Sequence, residues 1–170
     1  MNLPKNEDLP MAEARIFQDL ISDHDRHRDL LEKIGETQGD TPERRELFEA
    51  LRKELQAHAA AEEESLYATM LAKPDLRDDA RHSVSEHKEI DDYLGELLET
   101  DMSTGAWLIK FKEMRHRYLH HIDEEEEDMF PEAAKGLSSE EEASLAKIFE
   151  KRKPRELQRA QDELPGDARE

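Results

Sequence analysis

His24, His58 and Glu62 in the first half of the chain return as His87, His121 and Glu125 in the second, each 63 residues later. In either half a lone His is followed, 34 residues on, by His-x3-Glu. Imidazole and carboxylate groups hold transition metals, so two matched sets predict two metal ions bound symmetrically. A lone inward His is usually a hydrogen-bonded core residue, and His-x3-Glu is a common spacing in a chain with 44 acidic residues. Six such groups in duplicated register differ. Burying four imidazoles and two carboxylates without a compensating cation would be costly.

Four long helices must position these groups. Apolar residues recur at helical spacing from Met11 to Gly35, through Ile16, Phe17, Leu20, Ile21, Leu31 and Ile34. A loop follows, with Thr41 as N-cap and Pro42 at the first helical position. The second helix runs through Phe48, Leu51, Leu55 and Leu66 to Ala72, where Lys73-Pro74 stops it. A third covers Leu76 to Glu99, and a fourth Trp107 to Phe130, before Pro131. A fifth, shorter helix begins at Ser138 or Ser139, each with a Glu three residues later as in a capping box, and Pro154 should end it. The predicted fold is all-α: an up-down-up-down four-helix bundle over residues 11–135, with a short extra C-terminal helix over 136–154. Residues 1–10 read as an irregular arm, and 155–170 as a polar, disorder-prone tail.

Helical geometry selects which polar groups face inward. Each residue turns the helix by about 100°. With Phe111 at zero, His121 lies about 80° and Glu125 about 40° away, whereas His120 and Glu124 fall roughly 140–180° away, toward solvent. On the second helix His58 and Glu62 share the arc of Leu51 and Leu55, while Glu63 and Glu64 rotate away. On the third, His87 sits between Val84 and Leu94 and His82 lies on the back. His24 and His27 both fall within the apolar arc of the first helix, and geometry does not separate them. The i,i+4 spacing of His-x3-Glu places an imidazole on a metal with a carboxylate beside it, free to bridge to a second.

Composition narrows the function classes. A net charge of −19 argues against nucleic acid and anionic membranes as partners. No cysteine is present, which excludes disulfides, iron–sulfur clusters and thiolate sites and fits a cytoplasmic protein. No stretch is apolar enough to span a membrane. MNLPKNEDLP lacks the basic start and apolar run of a secretion signal. Ferritin-like centres need paired Glu-x-x-His. The one such spacing here, Glu113 to His116, starts on the wrong face.

The segments DHDRHRDLL, HAAAEEESLY, EHKEID and HHIDEEEEDMFP resemble the bacterial hemerythrin-like proteins, the HHE cation-binding domain family, whose ligand order is H, HxxxE, H, HxxxE. The resemblance covers residues 13–131. It implies two non-haem Fe ions, with Zn or Mn as substitutes, held by His24, His58, Glu62, His87, His121 and Glu125. Glu62, Glu125 and an oxo or hydroxo group would bridge them. In that family an acidic residue precedes the first His, which selects His24, after Asp23, over His27. His27 is then core or support.

Invertebrate oxygen carriers place a second His four residues from the first on the third helix. Here those positions are Ser83 and Asp91. One iron should therefore be more open, which argues against simple reversible oxygen transport. The expected function is binding of O2, NO or peroxide for sensing, buffering or detoxification. Rival readings are a peroxide- or NO-metabolising enzyme, an iron-handling protein and a metal-free scaffold. Tyr67 and Tyr118 read as packing residues, with Tyr118 also placed to support the centre. Of the EEEED run, only Glu125 is expected to contribute.

Overall fold

A computed structural model describes residues 13–166, so the expected arm over 1–10 lies outside the described residues. Helix α1 spans Arg15–Gly35. Gly39, at φ 73°, takes a left-handed conformation in the turn that follows. Helix α2, Pro42–Glu62, starts as predicted: the Thr41 side chain accepts from the Arg44 N–H, and Pro42 fills a first-turn position whose N–H would be unbonded anyway. The rod continues through a π-helical turn, Glu63–Tyr67, into α3, Ala68–Leu71. Helix α4 spans Pro74–Glu99 and α5 Gly105–Glu124. A second π-helical turn, Glu125–Met129, leads into α6, Phe130–Gly136.

The two wide turns begin beside Glu62 and at Glu125. In each, an N–H reaches back five residues: Ala68 to the Glu63 carbonyl, and Phe130 to that of Glu125. Single π turns of this kind concentrate at functional sites. The second also explains why the rod outlasts Pro131, where it was expected to stop. Pro131 falls in the first turn of α6, where a missing N–H costs least.

Helix α7, Ser139–Ala160, departs most from expectation. Its start is the predicted capping box: the Ser138 hydroxyl accepts from the Glu141 N–H, and the Glu141 carboxylate accepts from that of Ser138. Its end is not Pro154, which lies inside a 22-residue helix. Pro154 is exposed, so the carbonyl that it leaves unbonded can be hydrated. The far side is anchored by packing and by Arg52, whose guanidinium donates to the carbonyls of Ala160 (3.1 Å) and Glu163 (3.2 Å). The segment read as a disorder-prone tail is thus helical to Ala160, with Glu156 and Ala160 buried.

Two apolar clusters fill the bundle. One gathers Phe17, Leu20, Leu66, Tyr67 and Phe130, with Leu145 and Phe149 of α7. The other gathers Leu31, Leu51, Leu94, Trp107, Phe111 and Ile122. Buried Arg44 ties down the far end, donating to the carbonyls of Thr37 and Met102 (2.7 Å each) with its guanidinium 4.8 Å above the Trp107 ring. Helix α7 lies along α1 and α2, covering one hairpin of the bundle. If its packing is integral, Phe149→Ala should lower unfolding stability by about 3–5 kcal/mol, and Ile148→Ala, on the outer face, by under about 1 kcal/mol. Urea denaturation of the two variants reads this difference.

Candidate metal centre

Between the two apolar clusters lies a polar layer. It contains all six predicted site residues, none more than 4% exposed. The rings pair by hairpin: His24 with His58 at 5.1 Å, and His87 with His121 at 5.0 Å between centroids. The carboxylates sit among them. Glu125 Oε1 is 3.2 Å from His24 Nε2 and 3.7 Å from His121 Nε2. Glu62 Oε1 is 3.3 Å from His58 Nε2 and 3.4 Å from His87 Nε2. Each carboxylate therefore lies between a His of its own helix and one from the opposite hairpin.

Every Nδ1 in this layer is held from behind. His58 is held by Asp23 (2.8 Å) and His121 by Glu86 (2.6 Å). His24 is held by Glu126 and His87 by Glu63, both at 2.7 Å. Asp23 and Glu86 are 63 residues apart, and so are Glu63 and Glu126. The duplication thus includes the supports, and the second pair crosses between hairpins. These contacts correct two expectations, that Glu63 turns away and that only Glu125 of the acidic run contributes. Both Glu63 and Glu126 follow a site Glu directly, at a wide turn. A long side chain on a helix flank reaches a neighbour that a 100° step places out of view. The 63-residue spacing was the available signal.

With each Nδ1 engaged, each Nε2 points into the layer. The Nε2 atoms of all four rings, both oxygens of Glu62 and Oε1 of Glu125 are buried without a hydrogen bond. Seven orphaned polar atoms facing one another would be a severe penalty in a finished core. They fit a cation instead. His87, His121, Glu62 and Glu125 each offer one atom within 4.8 Å of the others, as do His24, His58 and Glu125. Carboxylates behind the Nδ1 atoms fix tautomer and ring orientation, as around metal-bound imidazoles.

The layer's electrostatics point the same way. Burial pushes the His24 imidazole down, but the carboxylates of Glu125 and Glu126 overcome it and hold the group up at about 9. His87 is likewise pushed down by burial and raised overall, to about 10, by Glu62 and Glu63. Burial works to raise Glu62, yet His58 and His87 hold it well below the ordinary carboxylate range. Positive charge is required, and protons supply it where a metal does not.

His27 is buried but satisfied on both nitrogens. Nδ1 meets the Tyr118 hydroxyl at 2.7 Å and Nε2 meets Glu54 at 3.2 Å. Burial holds it down at about 3. It supports the layer, with Tyr118 tilted against His121 at 5.9 Å. Tyr67 does more than pack: its hydroxyl donates to Glu125 Oε2. The matching position in the second half is Phe130, so Glu62 receives no such bond and the duplication is broken there.

The two faces of the layer also differ. On the first hairpin α7 closes over His58, with Phe149 edge-on at 6.1 Å, and Lys153 bonds Asp23 (2.8 Å) and Glu54 (3.1 Å). On the second, a cavity of about 330 Å³ reaches His121 and Glu125. Ser83, one of the two positions without the carriers' extra His, lines it. Asp91, the other, lines a small space of about 10 Å³ beside His58 and His87.

The raised imidazoles have a measurable consequence. Their stabilising charge is fully present below the ordinary value of 6.5 and is lost as pH rises through about 9 to 10. Metal-free protein should therefore lose thermal stability between pH 7 and pH 10, and metal-loaded protein far less. Melting curves of both forms across this range test it, and a metal-free form as stable at pH 10 as at pH 7 would contradict it.

The sequence matches the profile of the hemerythrin HHE cation binding domain over residues 15–133. A comparison with curated proteins gives no match. Among solved structures the fold resembles a hemerythrin HHE cation binding domain-containing protein, the Rv2633c homolog from Mycobacterium kansasii. The two share 27% identity and a TM-score of 0.72, over 82% of this chain and 85% of that one. On matched sequence, fold and a His/Glu group able to hold a metal, this chain belongs to the hemerythrin HHE cation-binding domain family.

Proposed function

We propose that the chain is a non-haem di-iron protein that binds O2, NO or peroxide, acting in sensing, buffering or slow detoxification. The observation that carries this is the set of seven buried, unbonded nitrogen and oxygen atoms converging in one layer. His24 and His58 would hold one ion, and His87 and His121 the other, with the carboxylates of Glu62 and Glu125 between them. Imidazole and carboxylate suit divalent iron, and zinc or manganese could substitute. Iron bound there supplies redox change and open coordination positions.

The protein's own residues set the terms of access. Tyr67 occupies Oε2 of Glu125, leaving that carboxylate one free oxygen, whereas Glu62 keeps both. Glu62 would thus offer two oxygens to bound metal and Glu125 one, although Glu125 is the carboxylate within reach of both His pairs. Helix α7 shields the first hairpin's side, and the cavity beside His121 gives a small molecule its approach. Its acidic lining repels organic anions and admits neutral O2, NO or hydrogen peroxide. An enzyme proper would share this geometry, and sustained turnover of peroxide or NO is what would distinguish it.

Elemental analysis of protein grown with added iron should give two irons per chain, and the loaded protein should change its absorption spectrum on exposure to NO or peroxide. Protein with full iron and no spectral response would refute the gas and peroxide reading. Glu125→Ala should lose metal and stability while Glu124→Ala keeps its final metal content. Equal metal loss would contradict the assigned facing. His24→Ala should lose more iron than His27→Ala, read by the same analysis.

A further inference from the structure

The outer rim of the second-hairpin cavity carries a further group of metal-binding side chains. His82 Nε2 lies 3.1 Å from Glu86 Oε2 and 3.8 Å from Glu124 Oε1. Their ligand atoms fall within 4.8 Å of one another. His120 Nε2 meets the other oxygen of Glu124 at 3.3 Å. Unlike the buried centre, this group reaches solvent through His82 and Glu124, 63% and 43% exposed at the side chain, while Glu86 lies behind them at 13%.

Acidic side chains alone would not make a site. Here a second feature lies at the floor of the same cavity: its lining includes His121 and Glu125, whose Nε2 and Oε1 are buried and unbonded in the layer beneath. Glu86 links the two levels. One of its oxygens bonds His121 Nδ1 at 2.6 Å, and the other faces His82. The counterpart carboxylate in the first hairpin, Asp23, also holds a His, but the same oxygen, Oδ2, accepts from the Lys153 ammonium. Among the described residues no lysine or arginine lines the second cavity, while Asp79, Asp128 and Glu132 add negative charge around it. One carboxylate of the duplicated pair has a resident cation, and the other opens toward solvent beside an imidazole.

We infer that His82, Glu86 and Glu124 form a loading site, which captures a divalent transition metal ion from solvent and delivers it down the cavity to the His121 and Glu125 side of the centre. One imidazole and two carboxylates bind such ions. A solvent-facing set holds them weakly enough to release, and the surrounding negative charge raises the capture rate. This rests on the proposed metal centre. It adds a route to that centre and a role for residues outside it.

The test is the rate at which metal-free protein takes up ferrous ion under anaerobic conditions, read by elemental analysis of chelator-quenched time points. The double variant His82→Ala, Glu124→Gln should load about tenfold more slowly yet reach the wild-type stoichiometry. Glu99→Gln, which removes one exposed charge at the far end of α4, should load at the wild-type rate. Wild-type loading by the double variant would overturn the loading site and leave the centre standing. So would equal slowing by Glu99→Gln, which would mean that overall charge sets the rate. A lower final stoichiometry in the double variant would place these residues in the centre itself and overturn a separate site. A wild-type chain that takes up no metal would overturn the centre and the loading site together.

Discussion

Burying four imidazoles and two carboxylates in a single layer is tolerable only if positive charge sits among them. The rest of the molecule is arranged around that requirement. Carboxylates behind the four rings engage Nδ1, which leaves every Nε2 turned inward toward Glu62 or Glu125. Apolar clusters above and below exclude the water that would otherwise satisfy these atoms. Without metal, His24 and His87 retain protons well above the usual imidazole range, so the layer takes its positive charge from solvent. A metal that binds must displace those protons, which couples loading to pH and to stability.

Duplication and its failures divide the labour between the two hairpins. Five positions repeat at a 63-residue offset: the two His, the site Glu and the two carboxylates behind the rings. Because Glu63 and Glu126 cross to the opposite hairpin, neither half is complete alone. Two departures from the repeat make the hairpins unequal. Tyr67 engages Glu125, whereas its counterpart Phe130 offers no hydroxyl. Helix α7 packs chiefly along the first hairpin, closing that side with Phe149 and Lys153. The second side keeps a cavity that reaches His121 and Glu125.

Much of this was legible in the sequence because period and burial are tied together in a bundle. The 100° step separated His121 and Glu125 from His120 and Glu124, which share their spacing, and the structure places each pair as that step predicts. What failed were inferences that needed more than an ideal helix. The π turns at Glu63 and Glu125 have no sequence signal in period alone. Side-chain reach, not backbone facing, brings Glu63 and Glu126 to their rings. Pro154 alone reads as a stop, yet an exposed proline is tolerated when packing on both sides and the Arg52 anchor hold the helix together. Tyr67 was placed correctly in the core, but its hydroxyl partner lies 58 residues away in sequence and could not be assigned.

The proposed centre would hold two ions in the polar layer, one between each hairpin's His pair and the shared carboxylates. Anomalous diffraction from crystals of iron-loaded protein, collected on both sides of the iron absorption edge, addresses it most directly. The account predicts two iron peaks within the layer, one near Nε2 of His24 and His58 and the other near Nε2 of His87 and His121. A fully ordered layer with no anomalous peak, or one peak bound by the Nδ1 atoms instead, would contradict it.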